Sequence, residues 1–520
     1  MTIAMGSMSA TTNEMHDLVG VGFGPASLAI TVALHDALED NHNHSWPRVK
    51  FLERQTEFGW QAGMLLSGAR MQISFIKDLA TVRNPRSYFT FLNYLKQHNR
   101  LIQFTNLDTF LPLRIEFEDY LKWCANHFQD MVQYRQDVLS VKPIRAVGGK
   151  KYAGLEVTSV DRETGVASVV RAKNVVIAVG GRPFIPQVFP ASEKIIHSSQ
   201  YQPSIDTILP DADKEYTIAV IGGGQSAAEI FDNLHTKYPR AKTLLIMRDT
   251  AMRPSDDSPF VNEVFDPSAV DDFFSSDADS RRAQVEKNKA TNYSVVRLGL
   301  LEKIYENLYH QRIKTPDPSM WQHQILASRE VAEVIPEAGR LNLVLKRLSC
   351  QTTSAEQVVK VDAIILATGY IRDLHNKMLQ DCQVINNSRD GSWIAGRGYG
   401  VQLNRNVVED GVNIYLQGCN EQTHGLSDTL LSILATRGGE LVQSIFGQRL
   451  DTGMQNSPAP KLTIHTNGVH HSHLNGTANG ASNGAMNGMS NGKTNGTTFD
   501  EDLINRGTNN AKMEITSNGH

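Results

Sequence analysis

Cysteine is scarce in this chain. Its four cysteines among 520 residues, Cys124, Cys350, Cys382 and Cys419, stand far apart with no C-x-x-C pair. That spacing excludes a disulfide framework and a dithiol redox centre, and it fits a reducing compartment. An excess of either charge is also missing: 51 Lys and Arg against 55 Asp and Glu leave a net charge of −4. Without a basic stripe or cluster there is no electrostatic case for nucleic acid. No apolar run approaches the roughly 18 residues of a membrane span. Met1–Asp17 has no basic segment followed by an apolar core, so no signal peptide or anchor is expected, and Ser517-Asn518-Gly519-His520 is no peroxisomal address. In a reducing compartment, triplets such as Asn475-Gly476-Thr477 meet no glycosylation enzyme. The expected location is cytoplasmic. Large apolar residues also vanish from about Pro458 onward, where Asn-Gly repeats with Ser, Thr and Ala. Such a stretch cannot offset the entropy of ordering itself, so residues 456–520 are expected to form a disordered tail.

What is present, over about 15–455, is an alternation of short apolar strands and helices. His16–Val21 reads as a strand entering a glycine turn, Ser27–Glu39 as a helix and Val49–Glu53 as a second strand. The same succession begins again at Thr217–Ile221 and closes at Thr243–Met247. Strands alternating with helices imply parallel sheets. Two further strands, Asn174–Gly181 and Asp362–Gly369, end in small residues and read as chain crossovers between domains. The expected fold class is α/β: two doubly wound, Rossmann-like nucleotide-binding domains, the second inserted within the first, with a small helical substrate region. The expected limits are 15–212 (first part of an FAD domain), 213–352 (NADPH domain) and 353–455 (second part of the FAD domain, with a substrate-site segment).

The chemistry starts at the two glycine loops. Gly20-Val21-Gly22-Phe23-Gly24-Pro25 follows a strand and opens a helix, so main-chain N–H groups at the helix's positive end can approach a pyrophosphate. Pro25 stands where the third glycine of the fingerprint belongs, a position in the first helical turn where its missing N–H is not needed. Glu53, closing the second strand, is the acid for the ribose hydroxyls, and it comes later than the usual ~20 positions because of an insertion at Glu39–Arg48. The unit suits FAD. The second loop is Gly222-Gly223-Gly224-Gln225-Ser226-Ala227, and its next strand ends in Met247-Arg248 instead of an acid. A guanidinium there suits a ribose 2′-phosphate, which a carboxylate would repel. The second cofactor is therefore expected to be NADPH. No metal site is proposed.

Other segments resemble a known family. Asp362 through Leu366-Ala367-Thr368-Gly369-Tyr370 with His375, Gly59–Gln61, Met71–Leu79, Asn262–Phe265, Asn292–Ser294 and His424–Ser432 are similar to segments of the flavin-dependent N-hydroxylating monooxygenases. The resemblance covers about 15–450 and is nearest to the fungal ornithine N5-monooxygenases of hydroxamate siderophore biosynthesis. His197-Ser198-Ser199-Gln200-Tyr201 matches an H-S-x-x-Y motif of related enzymes, but without its preceding F-x-G, which argues against a Baeyer–Villiger type. The resemblance implies hydroxylation of the side-chain amine of L-ornithine by dioxygen, through a C4a-hydroperoxyflavin formed after NADPH reduces FAD. An alkylamine with a pKa near ~10.4 must be neutral to react, so an alkaline optimum is expected.

The resemblance also assigns roles. Lys77 and Asn262 would hold the substrate's α-carboxylate end, and Asn292 and Ser432 its reacting end. Gln72 would lie near the activated oxygen, giving Gln72 and Asn292 the catalytic roles. Trp60, Gln61, Met71, Gln72, Thr429, Leu430 and Leu431 would contact FAD, while Asn292, Tyr293 and Ser294 would contact NADPH. Arg114 would reach the nicotinamide side. A homotetramer is implied, with no membrane or nucleic-acid partner. Two alternatives stay open: a lysine or diamine N-hydroxylase, and a flavin reductase passing electrons to a partner.

Overall fold

The computed structural model of the chain describes residues 14–39, 46–348 and 356–454. The expected tail and the centre of the insertion at Glu39–Arg48 lie outside the described residues.

The first sheet begins as expected. Strand β1 (Met15–Val21) runs parallel to β2 (Val49–Leu52), with Gly20 opposite Phe51, and β2 runs parallel to the short β3 (Val132–Gln133). Helix α1 (Pro25–Glu39) connects β1 to β2 and has proline at its first position, where no N–H is required. Alternation along β1 divides its burial: Leu18 packs against Ile30, Ala33 and Leu34 of α1, while Val19 and Val21 point to the opposite face. Helix α2 (Arg114–Asn126) adds Phe117, Tyr120 and Leu121 to an aromatic-rich cluster that also holds Phe23, Phe51 and Met71.

The other half of this sheet departs from the parallel expectation. Strands β4 (Gln136–Arg145), β5 (Tyr152–Asp161) and β6 (Ala167–Ile177) form an antiparallel meander, and β6 then pairs parallel with β1. The turns are the cause. Asp161 Oδ1 accepts from the main-chain N–H of both Glu163 and Thr164, and Gly165 follows at φ +71°. A connection this short can reverse the chain but cannot carry a parallel crossover.

The second sheet is wholly parallel, in the order β10-β9-β8-β11-β7: β7 (Ile195–His197), β8 (Thr217–Ile221), β9 (Lys242–Ile246), β10 (His323–Leu326) and β11 (Ala363–Leu366). Helices α3 (Gln225–Lys237) and α4 (Leu298–Lys314) cover one face through Ala227, Phe231, Leu234 and Ile304. A three-stranded antiparallel sheet, Arg329–Glu337, Arg340–Arg347 and Gln357–Val361, covers the other through Val334, Leu341, Leu343 and Leu345. The chain then returns to the first sheet. Strand β12 (Asn413–Leu416) pairs with the second half of β6, and α5 (Leu434–Met454) lies on α1 so closely that a Cβ on Gly438 would stand 2.6 Å from the Ala29 carbonyl oxygen.

Strand pairing redraws the expected limits at 212 and 353. Both β7 and β11 hydrogen-bond within the second sheet, although both fall within the limits expected for the FAD domain. A run of apolar residues states that it will be buried, not which sheet it joins. The crossovers begin just after β6 and β11, where Arg182–Pro183 and Tyr370–Ile371 pair antiparallel. Arg182 clasps Asp373 with two hydrogen bonds of 2.8 and 2.7 Å beside them.

Candidate functional site

At the first loop, Gly22 adopts φ +88°, and a Cβ there would stand 2.8 Å from the Ala178 carbonyl oxygen. Gly24 has open space where a side chain would be, room for a phosphate at the start of α1. Glu53 is buried beneath this loop, its two oxygens accepting from Phe23 N–H at 2.6 Å and Gln55 N–H at 2.8 Å. Each oxygen keeps a lone pair for a ribose hydroxyl. Met71 is buried in the cluster that contains Phe23, and Trp60 and Leu431 pack against that cluster. Trp60 is set by its main-chain N–H, which donates to the Glu118 carboxylate, and by edge contact with Phe117. Gln61 takes the left-handed conformation at the next turn. The open turn and the buried acid fit the pyrophosphate and ribose of FAD.

At the second loop, Gly222 has φ +142°, and a Cβ would stand 2.4 Å from the Ala367 carbonyl oxygen. Gly223 faces Met247, and Gly224 is covered by Ser294, whose Cα would lie 3.3 Å from a Cβ there. Helix α3 starts at Gln225-Ser226. Arg248 is exposed after β9 and forms no ion pair among the described residues, so it is free to meet a phosphate. The segment Asn292-Tyr293-Ser294 thus sits on this loop, with Ser294 at φ +57°.

The second loop meets the Gln72 and Asn262 segments through residues the sequence did not single out. Arg297 donates its main-chain N–H to Gln225 Oε1 at 2.9 Å, and its Nη1 reaches the Gln72 carbonyl oxygen at 3.4 Å. Its Nη2 pairs with Asp257 at 3.3 Å. The Asp257 carbonyl oxygen in turn accepts from Asn262 Nδ2 at 2.8 Å. Residues from the flavin, nucleotide and substrate segments are therefore joined at one arginine. Tyr293 and Thr429 face a common cavity of 240 Å³ with Arg372, Trp393, Asn420 and Glu421. Burial, together with the Glu421 carboxylate that accepts its hydroxyl, pushes the Tyr293 phenol up to about 12.

Lys77 is half-buried in a turn whose main-chain N–H donates to Ser74. Ser432 is buried, and its hydroxyl has no partner among the described residues, a vacancy a ligand's polar group fits. Lys77, Asn262, Asn292 and Ser432 make no hydrogen bond to one another among the described residues. Thr429-Leu430-Leu431-Ser432 is supported from behind by a buried ion pair: Arg437 Nη1 lies 3.3 Å from Asp428 Oδ1, and Asp428 Oδ2 accepts from Asn420 N–H at 2.7 Å. The acid lay in a recognised segment, but its partner stands nine positions on, and nothing in the sequence marks that arginine as buried.

Two motif residues have structural duties. Arg114, expected at the nicotinamide side, is held by groups of the chain itself. It is buried and donates to both oxygens of Glu229, at 2.8 Å each, and to the Met64 carbonyl oxygen at 2.6 Å. With a further 3.4 Å contact to the Arg70 carbonyl oxygen, the four Nη–H donors of this guanidinium are engaged within the chain. His197 is kept neutral because burial lowers its pKa. Its Nε2–H donates to the Gly369 carbonyl oxygen at 3.0 Å, and its Nδ1 accepts from Ser199 N–H at 3.2 Å, tying β7 to the crossover.

Comparison with known proteins follows this geometry. The family described as L-lysine 6-monooxygenase/L-ornithine 5-monooxygenase matches residues 14–372. An L-ornithine N(5)-monooxygenase of Emericella nidulans is 51% identical over 452 residues, covering 84% of this chain and 91% of the relative. The fold is similar to ornithine hydroxylase from Pseudomonas aeruginosa, with TM-score 0.75, 37% identity, and 84% of this chain and 100% of that one covered. It is equally similar to an ornithine N-hydroxylase of Kutzneria sp. 744 solved with reduced FAD, NADP+ and L-ornithine: TM-score 0.75, 33% identity, and the same coverage.

Proposed function

The chain belongs to the L-lysine 6-monooxygenase/L-ornithine 5-monooxygenase family, and we propose that it hydroxylates the side-chain amine of L-ornithine with FAD, NADPH and dioxygen. The observation that carries this reading is the convergence at Arg297, where the second glycine loop, the Gln72 segment and the Asn262 segment meet. Bound FAD, reduced by NADPH, supplies the activated oxygen, and the chain's own residues position and shield.

Gly20, Gly22, Gly24 and Pro25 hold the FAD pyrophosphate, and Glu53 its ribose. Trp60, Gln61, Met71 and Thr429-Leu430-Leu431 surround the ring. Gly222, Gly223, Gly224, Gln225 and Ser226 hold the NADPH pyrophosphate, with Arg248 on the 2′-phosphate and Asn292-Tyr293-Ser294 against the loop. Lys77 fixes the substrate's α-carboxylate by a charge-assisted contact, together with Asn262. Asn292 and the unpartnered Ser432 hydroxyl receive the amine, and Gln72 faces the reacting oxygen. Burial around the amine favours its neutral, nucleophilic form. The product serves hydroxamate siderophore synthesis, and the enzyme works as a cytoplasmic homotetramer. No helix among the described residues is long and apolar enough to cross a membrane, and its described cysteines are free thiols.

The test is direct. Purified protein with NADPH and oxygen is assayed for hydroxylamine product on ornithine, lysine and a simple diamine. Product from ornithine well above the others is expected. Equal turnover of lysine would overturn the substrate, and NADPH consumption without any hydroxylamine would overturn the monooxygenase reading.

A further inference from the structure

We infer that Glu229, which no substrate or cofactor role accounts for, is a positioning residue that couples occupancy of the NADPH loop to the placement of Gln72. The inference rests on the proposed oxygenase reading for what Gln72 does, but its geometry stands independently of that reading.

Glu229 lies on the first turns of α3, directly after the second glycine loop. Its side chain is only 9% exposed, and the Arg114 guanidinium facing it 10%. The pair is bidentate, with both bonds at 2.8 Å. Arg114 also donates to the main-chain oxygens of Met64 and Arg70, at 2.6 and 3.4 Å. On its other side, Glu229 Oε1 accepts from Gln225 Nε2 at 2.8 Å, and Gln225 Oε1 accepts from Arg297 N–H. Arg297 returns to the Gln72 carbonyl oxygen. The connections close a ring: Arg70, Arg114, Glu229, Gln225, Arg297 and Gln72. Two residues apart in sequence, Arg70 and Gln72 are gripped by two arms that lead to Glu229 and Gln225, in the first two turns of the nucleotide-binding helix.

That arrangement has a consequence. A phosphate that draws the N-terminus of α3 into one position moves Gln225 and Glu229 with it, since a helix transmits displacement along its axis as a rigid element. Both arms then set the Arg70–Gln72 main chain. A buried bidentate pair suits this task because it tolerates one geometry only, whereas an exposed Lys–Glu pair would slide. Linkage makes the coupling reciprocal: whatever orders Arg70–Gln72 favours nucleotide binding by the same factor.

The experiment uses the full-length, FAD-loaded chain. Glu229→Gln leaves Arg114 buried with half its pairing and is expected to lower Tm, so it is compared with the double variant Arg114→Met/Glu229→Leu, which removes both charges and keeps packing volume. Two readouts are taken. One is amide hydrogen exchange of residues 68–75 with and without NADP+; the other is hydroxyornithine formed per NADPH consumed. In the unaltered chain NADP+ should slow exchange in that segment. In the double variant the slowing should disappear, and product per NADPH should fall by up to about 10²-fold, the scale of a 1 Å misplacement at a reacting centre. Glu229→Asp should restore part of both. A double variant that keeps both the NADP+-dependent protection and the product ratio would overturn the inference, whatever its Tm. An unaltered chain that makes no hydroxyornithine yet shows the protection would sink the oxygenase reading and leave the coupling standing.

Discussion

The two nucleotide-binding units start from nearly the same local plan, and they differ in what surrounds it. Around the first loop almost everything is enclosed. Helix α1 buries ten residues between two clusters and is covered by α5, and the ribose acid Glu53 lies 5% exposed. Around the second, α3 buries five residues. Its neighbour α4 buries only Ile304, and Arg248 stands in solvent. The polar interiors differ in kind as well. The first unit contains a buried ion pair, Asp428–Arg437. The second contains a stacked pair of neutral imidazoles, His235 and His323, with ring centroids 3.6 Å apart. The first unit is the more enclosed of the two.

The largest expected effect tests whether the units are separable. Gly22→Val forces a side chain onto the Ala178 carbonyl at a positive φ, and the purified protein should carry no flavin absorbance. Gly222→Val forces one onto Ala367, and it should keep its flavin while NADP+ binding, followed by titration, is lost. Loss of flavin from both variants would break the comparison.

Next comes the contrast in charge. Asp428→Ala leaves Arg437 buried and unpaired, so stability should fall by about 3–5 kcal/mol in denaturant unfolding. In the second unit the Lys303–Asp232 pair is exposed on its lysine side, and Asp232→Ala should cost less than about 1 kcal/mol. Equal losses would mean that burial does not separate the two pairs.

A smaller effect falls on cofactor choice. Hydrogen bonds to charged groups contribute about 1.5–3 kcal/mol, so Arg248→Ala should raise KM for NADPH roughly 10- to 100-fold and leave KM for NADH nearly unchanged. A matching loss with NADH would place Arg248 outside the 2′-phosphate site.

The last effect is on acid stability. Burial lowers His235 to about 3 and His323 to about 4 from an ordinary 6.5. A depressed histidine pKa means that the folded state binds fewer protons than the unfolded one. This stabilisation is complete above pH 6.5 and is lost as pH falls through the window from 6.5 to about 3. Amide exchange should show the second unit opening before the first as pH is lowered through 5. A His235→Leu variant should narrow that gap, and an unchanged gap would remove the histidine pair as its cause.

Much of this was legible in the sequence. Both glycine loops announce themselves because only residues without a side chain satisfy a positive φ at Gly22 and Gly222 beneath a neighbouring carbonyl. Periodicity located β1, α1, β8 and β9 nearly to the residue, since alternation and helical spacing are local properties. The flavin, substrate and nucleotide segments were recognisable by resemblance. Less legible was where the chain pairs. The antiparallel meander β4–β6 depended on an Asp161 turn, and β7 and β11 joined the sheet opposite to the one assigned.

The sequence by itself determined that there would be two phosphate-binding turns, that an acid would follow one and a guanidinium the other, and that no cysteine pair would stand between them. Only the tertiary structure decided how those sites are connected. Arg114 became half of a buried lock with Glu229, Arg297 became the junction of three segments, and Arg437 became the support for Thr429–Ser432. The reason is physical: a loop's conformation is written in its own residues. A buried charge, by contrast, depends on a partner that folding brings near, and in the case of Arg114 and Glu229 that partner lies on a helix of the other nucleotide unit.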